Sequence, residues 1–305
     1  MSQPKVNILV PAYNHEKFIH DAIISVLNQK TEYSFEIIAG DDASTDNTAK
    51  ILKELANKHK NKIKLVLQNK NTGVFNLVKD MYSLVNSEYI AVLDGDDKWI
   101  YDRKLQEQIS FLEENKEFSA SFHDAIIENK ISETELNNRI IREQAKTNYK
   151  YYSEKFGYTE NYTVKDLILR KNIPSSSFVF RNTDLQFIFN KYDNINLTFG
   201  WLIQLYIYKT GKFKYFPEAW SMYNDHSGGL TKKIGFNKFN KTNIRILHEL
   251  LNDSFYKKYK KYIYRSISNQ YKYMYFSKFE KNKLKNLRNY FFYYFKSLII
   301  KNNND

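Results

Sequence analysis

The sequence contains no cysteine among its 305 residues. Disulfides, thiolate zinc sites and cysteine nucleophiles are therefore excluded. No run of 18 apolar residues occurs, and the longest candidate, residues 290–300, is interrupted by Lys296, so we expect no membrane-spanning helix. The first 14 residues lack a basic segment followed by a long apolar stretch. We therefore expect no signal peptide and a cytoplasmic location.

Two phosphate-binding signatures are also missing. The sequence has neither a GxxxxGK[ST] segment nor a GxGxxG segment, which excludes a P-loop and a Rossmann dinucleotide fingerprint. The phosphates of a bound nucleotide would have to be met by side chains and a metal ion. Hydrophobic residues make up 42% of the chain and charged residues 27%, a composition that excludes global disorder and predicts a sizeable core.

The positive charge is concentrated at the C-terminal end. Residues 231–305 contain 18 Lys and Arg against 4 Asp and Glu, whereas the other 230 residues contain 29 against 30. This tail is also rich in Tyr and Phe. Three interpretations stay open: a helical appendage packed on the body, contact with an anionic membrane surface at the inner face, and nucleic-acid binding, which we do not expect.

The first 125 residues predict an α/β fold. Short apolar runs at residues 6–10, 35–39, 63–67, 89–93 and 118–122 alternate with segments of helical periodicity, a pattern typical of crossover units and a mostly parallel sheet. Residues 128–162 are polar and poorly periodic, which predicts a loop or insertion. A helix, a strand, a helix and a strand are expected from there to residue 216.

Polar clusters follow three of the predicted strands. They are Pro11, Ala12, Tyr13 and Asn14 after the first, residues 40–46 after the second, and residues 94–97 after the fourth. The carboxyl ends of parallel strands bind ligands in open α/β sheets, so we expect the three clusters to meet at one edge. There we expect Asp41 and Asp42 to hydrogen-bond a nucleobase or a ribose; the alternative is that they form a turn. For Tyr13, the two interpretations are stacking on a nucleobase and an aromatic side chain at the rim.

Asp94 and Asp96 carry the most chemical information. In an extended segment, residues two apart point the same way, and two neighbouring carboxylates suit Mg²⁺ or Mn²⁺ completed by substrate phosphates. Gly95 between them would leave room for a nucleotide. The alternative is a solvated acidic turn, which the apolar strand before it and the two matching strand ends make the weaker interpretation.

Taken in order, these segments resemble the family 2 glycosyltransferases of the GT-A fold. The resemblance is carried by ILVPAYNHEKFIHDAIISVLNQ, FEIIAGDDASTDNT, the turn from Asn71 to Gly73, and YIAVLDGDDKW. It is weaker through IPSSSFVFRN and YKTGKFKYFPEAWSMYNDHSGG, and it does not cover the tail. It implies a Rossmann-like GT-A sheet flanked by helices over residues 1–230, with a nucleotide-sugar half of about 1–125 and an acceptor half of about 126–230. We expect residues 231–305 to form a basic, aromatic helical extension.

The resemblance also implies an activity and a set of site residues. The activity is inverting, metal-dependent transfer of a sugar from a nucleotide-diphosphate donor, with UDP favoured, to a glycan or lipid-linked acceptor of surface polysaccharide. Asp94, Asp96 and His226 would hold Mn²⁺ or Mg²⁺, and Asp96 with the extra acid Asp97 would form the catalytic motif. The residues implied to bind the donor are Pro11, Ala12, Tyr13, Asn14, Asp41, Asp42, Asn71, Gly73, Asp94 and Gly95.

One position departs from the family pattern. Relatives usually carry an Asp just before the Trp that here is Trp201, and this chain has Gly200 there, which cannot take a proton. Three explanations stay open. Another acid acts as the base (Asp193, Glu218 or Asp225), the alignment with the family pattern is shifted, or the chain is inactive. The base stays unassigned, and a nucleotide-sugar-binding protein without turnover is the alternative function.

Overall fold

The computed structural model describes residues 3–129, 150–170, 172–192, 199–226, 228–229, 236–277 and 282–300. Asp193, a candidate base, lies outside the described residues. So do residues 130–149, the larger part of the segment expected to form a loop or insertion.

A sheet organises the described part of the chain. Its strands are β1 (Val6–Ala12), β2 (Phe35–Asp41), β3 (Ile63–Leu67), β4 (Tyr89–Val92), β5 (Lys98–Trp99), β6 (Phe118–Asn129), β7 (Val179–Arg181) and β8 (Lys212–Asp225). They lie in the order β3-β2-β1-β4-β7-β6-β8-β5. The first four of this order are mutually parallel, β6 and β8 are parallel, and β7 and β5 pair in the antiparallel sense. The predicted α/β fold with a mostly parallel sheet is confirmed.

Helices cover both faces of this sheet. They are α1 (Ile19–Leu27), α2 (Thr48–Lys58), α3 (Val74–Tyr82), α4 (Lys104–Glu114), α5 (Tyr152–Phe156), α6 (Val164–Ile168), α7 (Gln186–Lys191), α8 (Phe199–Tyr208), α9 (Phe236–Leu250), α10 (Lys260–Phe276) and α11 (Lys283–Ile299). Short 3-10 turns lie at Ser175–Ser177 and Lys257–Tyr259.

The buried strand β1 shows how the sequence builds two cores. Ile8 and Val10 belong to the core with α1, α2 and α4, whereas Leu9 belongs to the core with α3, α6 and α8. Successive strand residues point to opposite faces, so a strand covered on both faces reads as a continuous apolar run. At the edge of the sheet, β3 keeps Ile63 buried and exposes Lys64, which accounts for its alternating pattern.

Two strands are longer than their apolar runs predicted. The expectation was residues 118–122 and 212–216, and the strands extend to Asn129 and Asp225. The added segments pair with each other along their length and contain polar residues such as Asp124, Ser221 and Asn224. Backbone pairing sustains the strands there, and apolar periodicity does not reveal it.

The tail helices α9 and α10 pack on the body. Leu247 of α9 and Ile263 of α10 belong to the same buried core as Leu205 of α8. Between the two helices, the hydroxyl of Tyr256 donates to the Leu205 carbonyl. The boundary near residue 230 stays a prediction. Within the described ranges, no helix is both long and apolar enough to cross a membrane.

Candidate functional site

The three polar clusters meet at the carboxyl edge of β1, β2 and β4. The amide of Gly95 donates to the Pro11 carbonyl at 3.0 Å, and the amide of Asp42 donates to the Ala12 carbonyl at 3.0 Å. These bonds continue the register in which Ala12 pairs with Asp41. The sheet therefore brings the predicted donor-binding segments and the acidic motif to one rim.

Asn14 fastens the loop after β1 to the loop after β2. It adopts a left-handed backbone with φ 58°, a conformation that Asn tolerates better than most residues. Its amide donates to Ser44 Oγ at 2.9 Å, and its Oδ1 accepts from the Thr45 amide at 2.8 Å. Its neighbour Tyr13 is half-buried at the rim. Asn14 thus shapes the rim through its own bonds, and donor contact by either residue stays a prediction.

Asp41 and Asp42 are both buried but have different surroundings. Oδ2 of Asp41 accepts from the Ser44 amide at 3.0 Å, whereas its Oδ1 is buried and has no hydrogen-bond partner among the described residues. Buried polar atoms are normally satisfied, so this carboxylate oxygen at the carboxyl edge of the sheet is available to accept a hydrogen bond from a water molecule or a ligand.

The carboxylate of Asp42 is already satisfied by the protein. It accepts from the amides of Thr72 and Gly73 at 2.7 and 2.8 Å, and Asn71 donates to the Asp42 carbonyl at 3.2 Å. Gly73, with φ 87°, occupies the N-cap of α3. The turn before α3 is therefore held by Asp42, Asn71 and Gly73. Contact of these three residues with the donor stays a prediction.

The acidic motif contains three carboxyl groups in three environments. Asp94 is half-buried and takes a hydrogen bond from Ser175; burial and the charge of Asp96 raise its pKa. Burial opposes ionisation of Asp96 too, yet the hydrogen bond from His226 and the nearby His15 hold its pKa below the ordinary value. Asp97 faces inward, where burial and its acidic neighbours raise its pKa and Oδ1 accepts from the Asn224 amide at 3.0 Å.

Two histidines flank Asp96. Nε2 of His226, just after β8, lies 3.0 Å from Asp96 Oδ2, and Nε2 of His15 lies 3.5 Å from the same oxygen. The ring of Phe18 packs on His226 with centroids 4.8 Å apart. The predicted His226 therefore reaches the acidic motif, whereas its part as a metal ligand stays a prediction. His15 was missed, although its place directly after the first polar cluster was a signal that could have found it.

Gly95 is required for a reason that the sequence did not reveal. A Cβ at this residue would lie 3.0 Å from atoms of Ala12, His15 and Ile19, closer than side chains normally approach. The space that was expected to admit a nucleotide is filled on this side by the protein itself. Gly95 thus lets β1 and the acidic motif approach each other.

Comparison with known proteins adds a family to this geometry. Residues 7–181, more than half of the chain, match the sequence profile described as Glycosyl transferase family 2. The chain belongs to this family. The resemblance inferred from the motifs is confirmed, and the matched range contains both the Asp41 loop and the acidic motif.

The relatives of this family 2 chain include proteins of several bacteria. An uncharacterized protein of Mycobacterium bovis is 27% identical over 228 residues, which are 74% of this chain and 60% of that protein. The putative glycosyltransferase EpsE of Bacillus subtilis is 35% identical over 117 residues, 38% of this chain and 41% of that protein. The chain thus spans less than two thirds of the length of these relatives.

Solved structures support the GT-A type of fold. S. aureus TarS 1–349 in complex with UDP-GlcNAc superposes with a TM-score of 0.63 at 17% identity, covering 96% of this chain and 80% of that one. The mannosyltransferase PcManGT of Pyrobaculum calidifontis, in complex with GDP-Man and Mn²⁺, gives 0.57 at 12% identity, covering 99% and 77%.

Position 200 of this family 2 chain borders the acidic motif. Gly200 lies in the first turn of α8, and a Cβ there would be 3.7 Å from Ser175 Oγ; the Ser175 side chain bonds Asp94. A carboxylate at this position would stand beside the site. Of the other candidate bases, Asp225 ends β8 next to His226, whereas Glu218 is exposed in the middle of that strand.

The acidic motif supplies few protein ligands for a metal ion. Among the described residues, no group of three or more His, Cys, Asp and Glu side chains is arranged to hold a metal ion, and Nε2 of His226 contacts the Asp96 carboxylate. Asp94 and Asp96 still match the chemistry of Mg²⁺ or Mn²⁺ sites that use one or two carboxylates and substrate phosphates. The two carboxylates fit that mode, in which the substrate completes the ligand set.

Proposed function

We propose that this family 2 chain is an inverting glycosyltransferase. It moves a sugar from a nucleotide-diphosphate sugar, UDP-linked, to a glycan or lipid-linked acceptor in surface polysaccharide or glycoconjugate synthesis. The supporting observation is that the unpartnered Oδ1 of Asp41 and the pair Asp94 and Asp96 lie on the same sheet edge. The Asp41 oxygen suits a hydrogen bond from a nucleobase, and the pair Asp94 and Asp96 suits a divalent cation bound to a diphosphate.

Asp41 is the residue proposed to recognise the base. A carboxylate oxygen accepts hydrogen bonds only, so it suits the imide N–H of uracil. A nucleobase without an N–H group at this point should bind more weakly, because the buried Oδ1 of Asp41 would stay without a hydrogen-bond partner. Complexes of TarS with UDP-GlcNAc and of PcManGT with GDP-Man and Mn²⁺ support a nucleotide-sugar donor in this fold.

Asp94 and Asp96 are proposed to hold the divalent cation on the diphosphate. When bound, such an ion stabilises the charge that develops on the leaving nucleoside diphosphate. Ser175 orients Asp94 by its hydrogen bond, and His15 and His226 fix the carboxylate of Asp96. Asp97 keeps β8 against the motif through the Asn224 amide, so its proposed part in catalysis is to position Asp96.

The acceptor hydroxyl attacks from the face of the sugar opposite to the leaving group, and its proton must pass to a base. Gly200 has no side chain that could take this proton, although its position lies beside the acidic motif, next to Ser175. Asp225 is the described acid proposed to serve, and Asp193 is the other candidate. If neither acts, the second candidate function applies, a donor-binding protein without turnover, and Gly200 is the observation that favours it.

Thermal unfolding with a donor panel tests the proposal. UDP-GlcNAc and GDP-mannose are added with and without Mn²⁺ to the unaltered chain, to Asp96→Asn and to Asp80→Asn, which changes an exposed acid on α3. A preferred donor at a hundred times its Kd should raise the Tm by about 5 °C with Mn²⁺.

Asp96→Asn should lose this stabilisation and lower initial transfer rates by about a thousandfold, whereas Asp80→Asn should behave like the unaltered chain. Equal stabilisation of Asp96→Asn would contradict the site. Stabilisation without sugar transfer by the unaltered chain would select the binding protein.

A further inference from the structure

The last helix, α11, leaves a face of large apolar side chains exposed. Its inward face carries the buried Asn286 and Ser297 and the partly buried Tyr293, which packs on the core. Helices of globular proteins normally turn the apolar face inward. Four apolar residues of α11 instead point outward, and their spacings of seven, four and three residues place them on one side of the helix. They are Leu284, Phe291, Phe295 and Leu298.

The exposure of this outward face is large. Leu284 is 83% exposed, Phe295 55% and Leu298 59%, and beside them Phe292 is 51% and Ile299 78% exposed. We name the six residues 284, 291, 292, 295, 298 and 299 the apolar stripe. Single exposed apolar residues are ordinary, but a contiguous stripe marks a binding surface.

The apolar stripe lies among cations. The described residues 260–277 and 282–300 contain eight Lys and Arg and no acid. Lys285 and Arg288 are exposed on α11, and Lys296 Nζ lies 4.6 Å from the centre of the Phe292 ring. The ligand of this surface must therefore offer apolar volume and negative charge together.

We propose that the apolar stripe and its cations bind the surface of an anionic lipid bilayer, with α11 lying in the interface plane. Lipid headgroups supply phosphates to Lys and Arg while the acyl boundary accepts Leu, Ile and Phe. A second copy of this chain would bring another cationic face and be repelled, and nucleic acid offers little for Leu284, Leu298 and Ile299. The cations of α11 exclude insertion across the bilayer.

The packing of the tail gives this surface a consequence for the body. α10 and α11 contact each other, and α10 belongs to the body core through Ile263 and Ile267. Lys209 of the body and Asp253 form an ion pair at 2.5 Å. A membrane-bound α11 therefore tethers the body to the bilayer, in which a lipid-linked acceptor of the proposed function resides. The binding itself does not depend on sugar transfer.

Vesicle flotation of the full chain tests the proposal. Vesicles of phosphatidylcholine alone and of phosphatidylcholine with phosphatidylglycerol are compared at low and high salt. The apolar variant is Phe295→Ser with Leu298→Ser, and its control is Phe187→Ser, an equally exposed Phe of α7 at 61%. The charge variant is Lys285→Glu with Arg288→Glu, and its control is Lys50→Glu with Lys53→Glu on the exposed face of α2.

We expect binding to anionic vesicles that weakens with salt and falls at least about tenfold in each tail variant, with both controls unchanged. Absent flotation, equal binding to neutral vesicles, or equal loss in the controls overturns the proposal. So does sedimentation as a dimer that the apolar variant dissociates without any vesicle binding, or tighter binding to a random oligonucleotide. Donor-induced stabilisation, measured on the same variants, reports separately on the proposed function and should not change.

Discussion

The rim of the body and the last helix depart from ordinary burial in opposite directions. At the rim, Asp41 and Asp97 bury carboxyl groups, whereas in α11 Leu284 and Phe295 expose apolar ones. Burying a carboxyl group costs stability, and leaving a large apolar side chain exposed forgoes the stability that its burial would add. The rim suits a small polar ligand at the carboxyl edge of the sheet, whereas α11 suits a partner with a broad surface, such as a bilayer. The rim and α11 therefore present two different surface chemistries, although both belong to one chain.

The largest effect is expected from placing a carboxylate at position 200, beside the rim. Gly200→Asp places an acid in the first turn of α8, where acids are favourable, beside Ser175 of the acidic motif. If the chain lacks an efficient base, the single-turnover transfer rate should rise by about a hundredfold. Gly200→Asn is the matched control, because it adds similar volume without a base.

Donor-induced thermal stabilisation should stay unchanged in both Gly200 variants. A rate that does not rise in Gly200→Asp would show that another acid already takes the proton. An equal gain in Gly200→Asn would show that volume, and not basicity, was missing at this position.

A smaller effect is expected from the histidine that the sequence did not predict. His15→Gln removes the ring 3.5 Å from Asp96, and loss of such a supporting contact typically weakens metal affinity or activity by about ten- to a hundredfold. The Mn²⁺ concentration for half-maximal stabilisation by donor should rise accordingly. His20→Gln, which changes an exposed histidine of α1, should leave it unchanged; equal shifts would contradict the contact.

The smallest effect concerns stability and not binding. Burial lowers the pKa of His123, as does nearby Lys104. Below pH 6.5, the His123 imidazole of the unfolded chain binds a proton that the folded chain does not bind. The contribution of His123 to the free energy of unfolding is therefore complete above pH 6.5 and is lost as pH falls towards the pKa of His123 in the folded chain. From pH 6.5 to 5.5, the free energy of unfolding should drop by about 1 kcal/mol from this residue.

Urea unfolding at both pH values measures the difference. His123→Phe, which can still pack beside Trp220, should lose this part of the pH dependence, whereas His20→Gln should retain it. A pH dependence that is the same in all three proteins would assign it to groups other than His123.

The architecture was largely predictable because its signals are local. The apolar runs around Ile8, Ile37 and Ile90 predicted parallel strands, and the carboxyl ends of such strands are where polar clusters gather. The full lengths of β6 and β8 were not predictable, because mutual pairing sustains them through polar residues such as Asp124 and Asn224.

The site was predictable in membership but not in detail. The motif pattern named Asp41, Asp42 and Asp96, yet only the fold separates an Asp41 with an unpartnered oxygen from an Asp42 bound to the turn before α3. His15 and Gly95 gain their roles from contacts in space. A single sequence does not record how closely such atoms approach.

By itself, the sequence determined the order of strands and helices, the acidic strand ends, the missing carboxylate at Gly200 and the cationic tail. Each of these is a property of residue type and local spacing. The tertiary structure decided which oxygen of Asp41 is available, that both histidines contact Asp96, and that α11 turns Phe295 outward and Asn286 inward. Such choices arise only when segments distant in the chain compete for the same buried surface.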